Sequence, residues 1–492
     1  MPLVERVLPP APFPTIRHYL TAGGGAGLDA ARRVEPDLVI AEVEASGLRG
    51  RGGAGFPTGT KWRTVAANES DTLATTVVVN AAEGEPGTFK DRTILRANPY
   101  SVIEGALIAA WAVGANRVIM AMKGRGGEDL ERVRAAVAEV QAAGWAADVA
   151  IDVFEGPDEY LYGEETALLE VLDGRPPFPR IAPPYRRGYD EVVEDDADVT
   201  SGSGLAADVE MAGPGGGSLA PPALIDNVET LANVPGIIAK GAAWFREEGT
   251  DKSPGTIVAT VSGAVRHDGV GEVAMGTTVG EVIEQIGGGA RPGRRIIGVL
   301  GGASSPLLPA DRFDTPLTYE AMAEAGSGLG SASLIVLDDA DDLAAVAAGV
   351  ARFLAVESCG QCTPCKQDGL EIADRLASIG AGQGSEEDLE IVTARLSTVA
   401  DGARCNLARQ TQAVVGSIVT VGIDALRAHL EPEAEPVTPT VVAELDDLSD
   451  GRAVLFERAA DRQPDWTYDE EWSGKSPVDR HGDHRAEADD AE

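Results

Sequence analysis

All four cysteines of the chain belong to one pattern. Cys359, Cys362 and Cys365 are each separated by two residues, and Cys405 follows after a further 39 residues. Three thiolates at this spacing can bind three corners of an iron–sulfur cubane, and a distant fourth completes the ligands of a [4Fe–4S] cluster. A structural zinc site is the alternative, although such sites more often use two separated pairs of cysteines or histidines. The pattern therefore predicts a group that transfers single electrons.

A glycine-rich segment at residues 47–62, GLRGRGGAGFPTGTKW, has the properties of a phosphate-binding loop. Six glycines in 13 residues let the backbone approach a ligand closely and expose N–H groups to an anion. Arg51 and Lys61 add positive charge, and Phe56 and Trp62 favour a ligand with a flat ring. The segment does not match the dinucleotide-binding fingerprint, and an ordinary flexible loop is the alternative interpretation.

Two carboxylate-rich motifs accompany the loop. NAAEGEPG at residues 80–87 follows a predicted buried strand, where open α/β sheets bind ligands. YLYGEET at residues 160–166 opens a predicted helix, so Glu164 or Glu165 alone could simply stabilise that helix N-terminus. Carboxylates beside a nucleotide accept hydrogen bonds from ribose hydroxyls or a carboxamide. Together with the loop and the cysteines, these motifs indicate flavin and nicotinamide chemistry. No arrangement typical of a hydrolase is present.

The order of predicted elements indicates three folded units. The first is an α/β unit with a mostly parallel sheet covered on both faces. It combines strands at 75–80, 117–122 and 148–154 with helices at 101–113, 128–143 and 164–172. A small α+β unit has strands at 256–262, 295–300 and 333–337 and a helix at 279–286. The third is a helical bundle, with the cluster in loops at one end and helices at 341–356, 386–399 and 407–430.

The chain is strongly acidic, with a formal net charge of −38, which argues against nucleic-acid binding. The excess is concentrated at residues 431–492, with 19 acidic and 6 basic residues, and at 190–222, with 8 acidic residues and none basic. Both stretches are predicted to pack poorly, and the tail is predicted to be disordered. We find no run of about 20 apolar residues and no secretory signal, and free thiols favour a reducing compartment.

Five motifs together resemble the NADH-binding flavoprotein subunit of respiratory complex I and its relatives in NAD-linked hydrogenases and formate dehydrogenases. They lie at residues 47–62, 80–95, 160–174, 226–235 and 357–365. The resemblance covers roughly residues 43–430. It implies a Rossmann-like FMN/NADH-binding domain at 1–250 with an acidic insert at about 190–222, and a ubiquitin-like (SLBB) domain at 253–338. A helical [4Fe–4S] domain at 341–430 and the acidic tail at 431–492 would follow.

The resemblance also implies roles for individual residues. FMN would be held by Gly50, Gly52, Gly53, Lys61, Asn80, Glu83, Tyr160, Gly163 and Glu164, with Asn227 and Thr230 around its phosphate. NADH would be contacted by Phe56 and Tyr185 on the adenine side and by Glu85 and Glu165 on the nicotinamide side. Glu83 and Glu85 are the residues expected at the site of catalysis. Cys359, Cys362, Cys365 and Cys405 match the cluster ligands of the family in order and spacing.

Three positions depart from the family pattern. Ala82 stands where an aspartate is usual, Tyr162 where a cysteine is usual, and Asp226 where an asparagine lies beside the flavin phosphate. An added negative charge near a phosphate weakens FMN binding unless it is compensated. These changes indicate a divergent relative of the respiratory subunit. They leave open a non-catalytic assembly subunit, and a nucleotide-binding regulator with structural zinc is a third hypothesis.

The expected activity is that of an NADH dehydrogenase-type oxidoreductase. NADH would give a hydride to FMN, and single electrons would pass to the [4Fe–4S] cluster and on to a partner subunit. The chain supplies ligands for one cluster, so the partner is expected to carry its own iron–sulfur centres. The resemblance implies a thioredoxin-like [2Fe–2S] subunit. The expected location is cytoplasmic, without direct membrane insertion, and peripheral to the inner membrane only through partners.

Overall fold

The structure is a computed structural model that describes residues 3–70, 73–181 and 222–481. Tyr185 and the acidic segment at 190–222, apart from its last residue, lie outside these ranges. Within the three ranges, no helix combines the length and the apolar character that spanning a bilayer needs.

The N-terminal part forms the predicted parallel α/β unit. Its four strands are β1 Thr76–Ala81, β2 Arg117–Lys123, β3 Ala150–Gly156 and β4 Ala223–Asn227. They are all parallel, in the order β3-β2-β1-β4. The run Val77–Val79 in β1 is fully buried, as expected for a parallel strand covered on both faces. The carboxyl ends of β1 and β4 therefore meet at one edge of the sheet.

Within the described residues of this part of the chain, ten helices pack around the sheet or precede it. They are α1 Ile16–Thr21, α2 Ala26–Ala31, α3 Pro36–Ser46, α4 Thr58–Ala67, α5 Lys90–Ala97, α6 Pro99–Ala112, α7 Gly127–Ala142, α8 Glu165–Leu172, α9 Val228–Lys240 and α10 Ala242–Phe245. The predicted helices correspond to α6, α7 and α8. Helix α9 starts directly at the end of β4, and the side chain of Asn227 caps it by accepting from the N–H of Glu229 at 3.0 Å.

The second unit is a mixed five-stranded sheet in the order β6-β5-β9-β7-β8. Its elements are β5 Thr256–Gly263, β6 Gly269–Ala274, α11 Val279–Gly287, β7 Ile296–Gly301, β8 Ser305–Pro309, α12 Tyr319–Glu324 and β9 Ser333–Asp338. Sequence reasoning found β5, α11, β7 and β9 but missed the two edge strands and α12. Strand β6 has two glycines and a glutamate among its six residues, and β8 has two prolines among its five, so their sequences carry a weak strand signal.

The third unit is helical but differs in detail from the prediction. It consists of α13 Leu343–Glu357, α14 Thr363–Gly380, α15 Glu386–Thr398, α16 Leu407–Gln410, a π-helical turn Thr411–Val415, α17 Gly416–Val421 and α18 Ile423–Ala428. Helix α14 was not predicted. It begins at Thr363, so the cysteine run leads directly into a helix. The single helix expected at 407–430 is interrupted by the π-helical turn and at Gly422, where a Cβ would lie 2.8 Å from the Leu343 side chain.

The predicted disorder of the acidic tail is wrong for its described part, residues 431–481. That part contains a hairpin, β10 Leu445–Ser449 and β11 Arg452–Leu455, and a buried tryptophan, Trp466. Its acidic side chains find cations elsewhere in the chain. Glu444 pairs with both Lys123 and Arg125. Composition counts the charges but does not show which of them are neutralised by distant partners.

Candidate functional site

The glycine-rich loop lies against the junction of β4 and α9. The N–H of Gly50 donates to the carbonyl of Phe56 at 2.8 Å, which closes the loop. The N–H of Arg51 donates to Thr230 Oγ1 at 2.8 Å. A Cβ at Gly52 would lie 3.3 Å from the Asn227 Cβ, so the loop approaches that residue closely. The structure thus brings the predicted loop glycines together with Asn227 and Thr230, which lie far away in sequence.

Gly53 has a backbone conformation that few other residues adopt, with φ at +126°. The backbone therefore turns sharply between the two sides of the loop. Phe56, at the far side of the loop, is half-buried. These observations place both residues in the loop as predicted, and they agree with a loop shaped to present backbone N–H groups.

A buried ionic network lies beneath the loop, and sequence reasoning did not single it out. Lys90 Nζ lies 2.6 Å from Asp91 Oδ1, 3.0 Å from Asn227 Oδ1 and 3.1 Å from Glu229 Oε2. Asn227 Nδ2 donates to Asp91 Oδ2 at 2.7 Å. Burial alone would lower the pKa of Lys90. The carboxylates of Asp91 and Glu229 have the larger effect, and they raise the pKa of Lys90. The network fixes the orientation of the Asn227 side chain. In the sequence, the only sign of this network is the pair Lys90–Asp91 within the motif at residues 80–95.

Asp226, where the resemblance implies an asparagine, has nearby hydrogen-bond donors. Trp62 Nε1 donates to Asp226 Oδ2 at 2.7 Å, and Lys61 Nζ lies 3.9 Å from Asp226 Oδ1. Lys61 also pairs with Glu165 and donates to the carbonyl of Ile225 at 2.6 Å. Burial raises the pKa of Asp226 to about 6, although Lys61 opposes the shift. The added carboxylate is therefore partly compensated at neutral pH.

Glu83 and Asn80 lie at the carboxyl end of β1. The side chain of Glu83 is buried and accepts from the N–H of Asp91 and from Arg92 Nε, both at 2.9 Å. Burial acts to raise the pKa of Glu83, but Arg92 and the Asp91 N–H outweigh it and lower that pKa. Asn80 Nδ2 donates to the carbonyl of Gly163 at 2.8 Å, which joins the two carboxylate-rich motifs. Glu83 is accordingly an anion held by its own α5 neighbours.

Glu85 connects all three folded units. It accepts from Tyr160 Oη at 2.6 Å and from the N–H of Ala303 in the second unit at 2.7 Å. Gln410 Nε2, on α16 of the helical unit, donates to the same Tyr160 Oη at 3.4 Å. Burial raises the pKa of Glu85 in spite of the hydrogen bond from Tyr160. Sequence reasoning named Glu85 and Tyr160, but neither Ala303 nor Gln410 carried a recognisable signal.

The structure assigns Glu164 a local role. It caps α8, accepting from the N–H of Ala167 at 2.8 Å and from Thr166 Oγ1 at 2.6 Å. Burial raises the pKa of Glu164, although these hydrogen bonds act to lower it. These contacts agree with the helix-terminus interpretation of Glu164, and its place in the FMN site stays a prediction. Glu165 pairs with Lys61.

Ala82 and Tyr162, the two other departures, belong to one buried apolar cluster with Leu168. The Tyr162 hydroxyl has no hydrogen-bond partner among the described residues. A Cβ at Gly156 would lie 2.4 Å from that hydroxyl oxygen, so the Tyr162 ring closes on the end of β3. These two side chains thus pack the interior behind the strand ends.

The four cysteines are free thiols that line one small cavity. Three sulfurs have a polar neighbour. Gln361 Nε2 lies 3.5 Å from Cys359 Sγ, the N–H of Arg404 donates to Cys362 Sγ at 3.4 Å, and Ser358 Oγ lies 3.3 Å from Cys365 Sγ. Such contacts stabilise thiolates and tune a metal centre.

Four soft ligands around one cavity fit an iron–sulfur cluster. Cys362 immediately precedes α14 and Cys365 lies in its first turn, where the helix N-terminus favours negative charge. Among the described residues, no group of three or more His, Cys, Asp or Glu side chains is arranged to hold a single metal ion. The four thiols instead surround a common space.

Three protein-family models match the chain, in the predicted order. They are the Nuo51 FMN-binding domain at residues 43–236, the SLBB domain at 258–307 and the NADH-ubiquinone oxidoreductase-F iron-sulfur binding region at 345–429. The resemblance inferred from the motifs and the predicted fold class are confirmed.

Similar proteins cover most of the chain. The NADH-quinone oxidoreductase F 2 subunit of Rhizobium meliloti is 36% identical over 426 residues, which is 84% of this chain and 92% of that protein. The NADH-quinone oxidoreductase F subunit of Streptomyces coelicolor is 37% identical over 396 residues, 79% and 81% of the two chains. A crystal structure of NAD+-reducing [NiFe]-hydrogenase in the H2-reduced state has a TM-score of 0.71 at 32% identity, covering 86% of this chain and 68% of that chain.

Proposed function

The chain belongs to the family of NADH-quinone oxidoreductase F subunits, and we propose how its own residues serve electron input in that family. It is an NADH-oxidising electron-input subunit that uses FMN and a [4Fe–4S] cluster. The observation that supports a working electron path is the hydrogen-bonded series Glu85–Tyr160–Gln410. It joins the nucleotide side of the sheet to the helix that begins two residues after Cys405.

The residues around the glycine loop fit a flavin phosphate. In our proposal, the N–H groups of Gly52 and Gly53 and the Lys61 ammonium bind the phosphate. Gly50 keeps the loop closed beside the phosphate through its bond to Phe56, and Asn227 and Thr230 complete the site. Asn80, Glu83, Tyr160, Gly163 and Glu164 line the remainder. When bound, FMN accepts a hydride and gives up electrons one at a time. The protein contributes alignment and charge rather than a strong base.

NADH binding would use the opposite side of the loop. Phe56 offers a face to the adenine, and Glu85 and Glu165 accept hydrogen bonds from the nicotinamide half. Tyr185, also assigned to the adenine side, lies outside the described residues. Glu85 is held by Tyr160 and Ala303, so it is oriented before NADH arrives. The four cysteines hold the cluster.

The partner is an iron–sulfur subunit. Similar proteins are named as subunits or belong to a hydrogenase complex, which supports a multi-subunit setting. We further propose that the partner is a thioredoxin-like [2Fe–2S] subunit. We also propose a cytoplasmic location, peripheral to the inner membrane through partners. We propose no nucleic-acid partner and no direct insertion into a membrane.

An anaerobic visible spectrum before and after addition of NADH tests the proposed function. We expect flavin bands over a broad iron–sulfur absorbance, bleached by NADH, together with iron and sulfide near about four per chain. A protein that contains no flavin and stays unchanged by NADH after FMN reconstitution would instead be the non-catalytic assembly subunit. Zinc without sulfide would support the nucleotide-binding regulator.

Replacing Asp226 by asparagine is expected to tighten FMN binding. The carboxylate is anionic above its pKa of about 6 and repels a phosphate, whereas asparagine keeps an acceptor for Trp62 and frees Lys61. We expect about tenfold tighter binding at pH 8, which corresponds to about 1.4 kcal/mol. The difference in FMN affinity between the variant and the wild type should become smaller below pH 6, where the wild-type Asp226 carboxyl becomes neutral. FMN titration by fluorescence quenching at both pH values measures this.

The matched control is Asp152→Asn, at an exposed carboxylate paired with Arg117. Its FMN affinity should equal that of the wild type at both pH values. Equal or weaker FMN binding by Asp226→Asn at pH 8 would show that Asp226 does not face the phosphate.

A further inference from the structure

The C-terminal residues 462–481, which we call the strap, lie directly against the cysteine run. The N–H of Val478 donates to the carbonyl of Cys359 at 3.0 Å. Gly360 has φ at +87°, and a Cβ there would lie 2.4 Å from the Ser476 Cβ. The strap backbone therefore packs closely on the loop that carries the first cysteine. The matched iron–sulfur family model ends at residue 429, so it does not include the strap.

Trp466 is the buried centre of the strap. Its side chain is 9% exposed, and its Nε1 donates to the carbonyl of Val356 near the end of α13 at 2.9 Å. The ring packs against Phe178, with the centroids 5.8 Å apart. Its backbone has φ at +67°, which is unfavourable for a bulky side chain. A strained conformation that persists in a buried residue is typically required by a specific arrangement.

Two buried cations connect the strap to the cysteine run. Lys366, next to Cys365, donates from Nζ to the carbonyls of Ser358 at 2.9 Å and of Pro464 in the strap. Arg462 Nη1 in the strap donates to Glu357 Oε1 at 2.9 Å. Glu357 is the residue immediately before Ser358. The segment from α13 to the first cysteine is thereby fixed on the strap.

The exposure of the cysteines is asymmetric. Cys359 and Cys365 are 7% and 8% exposed. Cys362 and Cys405 are half-buried, and their neighbours Thr363, Arg404 and Asn406 are exposed. The strap covers the Cys359 side and leaves the Cys362–Cys405 side facing outward.

We propose that Trp466 is a positioning residue for the iron–sulfur cluster. It holds the strap on the cysteine run, which keeps water from the Cys359 side and leaves the Cys362–Cys405 side as the edge from which electrons leave. The proposal rests on the proposed function only in requiring a cluster at the four cysteines. Arg462 of the strap also donates to Glu159 Oε1 at 3.3 Å, next to Tyr160. The Trp466 side chain instead contacts Val356 and Phe178, so its replacement is expected to act on the cluster.

Loosening the strap should change the cluster in two measurable ways. Water stabilises the more negatively charged, reduced form of a thiolate-bound cluster, so hydration raises the midpoint potential. An open strap also gives oxygen and chelators access to iron. A merely structural role of Trp466 would lower the melting temperature without moving the potential of the folded protein.

The test compares Trp466→Ala with Trp472→Ala in the full-length protein. Trp472 lies in the same strap but is 43% exposed, and its Nε1 donates within the strap to the carbonyl of Lys475. For Trp466→Ala we expect about tenfold faster iron release to a chelator. We also expect an upward shift of the midpoint potential by about 59 mV, a tenfold change in the one-electron equilibrium. Redox titration followed by EPR and hydrogen exchange at residues 358–366 provide the readouts, and Trp472→Ala should match the wild type.

The outcomes are distinguishable. A wild-type protein without iron and sulfide would overturn the proposed function before any variant is compared. A Trp466→Ala protein with wild-type potential, iron release and hydrogen exchange would overturn the role of Trp466. Trp466→Phe keeps a packed ring but loses the N–H to Val356, and it should shift both properties less in the same direction. If the alanine variant does not fold, an unchanged potential in Trp466→Phe overturns the proposal.

Discussion

The Cys405→Ala variant is expected to lose the [4Fe–4S] cluster while its flavin is still bleached by NADH. Cys405 is the proposed fourth ligand, and the four thiols line one cavity. The proposed nucleotide residues lie on the glycine loop, at the strand ends and next to α8, and none of them has a hydrogen bond to the Cys405 thiol among the described contacts. We expect iron to fall from about four to about three or fewer per chain and the [4Fe–4S] signal to be lost, because three thiolates leave one iron of the cubane without a protein ligand.

The measurement is the EPR spectrum of the NADH-reduced protein together with iron and sulfide analysis. The matched control is Asn406→Ala, the exposed neighbour, which should retain both cluster and signal. Full cluster content in Cys405→Ala would show that another residue supplies the fourth ligand. Loss of both cluster and flavin bleaching would show that the two sites are not independently stable.

The Lys90→Met variant is expected to lose FMN and about 3–5 kcal/mol of stability, because breaking a buried ion pair leaves uncompensated charge. Lys90 is 1% exposed and lies within 3.1 Å of carboxylate oxygens of both Asp91 and Glu229. It also donates to Asn227 Oδ1 at 3.0 Å. Removing the ammonium takes away one of the three hydrogen bonds that orient the Asn227 side chain and leaves its partner Asp91 without its nearest cation. Asn227 caps α9 and lies close to the glycine loop at Gly52.

FMN content after gel filtration and the denaturant midpoint measure this effect. Lys240→Met is the matched control, since Lys240 is exposed at the end of α9. It should leave FMN content unchanged and cost at most about 1 kcal/mol, because its ammonium lies 4.5 Å from the centroid of the Trp244 ring. A Lys90→Met protein that retains FMN with wild-type affinity would show that the orientation of Asn227 does not matter for the phosphate. A stability loss with FMN retained would restrict Lys90 to a purely structural role.

The sequence by itself determined the chemistry and the α/β, α+β and helical order of the units. The cysteine spacing is a local property of the chain. Thiols three residues apart lie close enough to bind the same group, whatever the rest of the fold. The β-branched run at β1 and the glycine loop are also local signals, since backbone preference acts within a few residues. The motif residues at 80–87 and 160–166 were found for the same reason, and the structure joins them through Asn80 and Gly163.

Only the tertiary structure decided which charges meet across the chain. Lys90 and Glu229 are 139 residues apart, and Ala303 donates to a carboxylate 218 residues away. The acidic tail was expected to stay solvated, yet Arg462 and Trp466 bury themselves beside the cysteine run. Composition gives the number of charges, whereas folding selects their partners. A buried charge is tolerated only where that partner lies within a few ångströms, and this depends on how the three units pack.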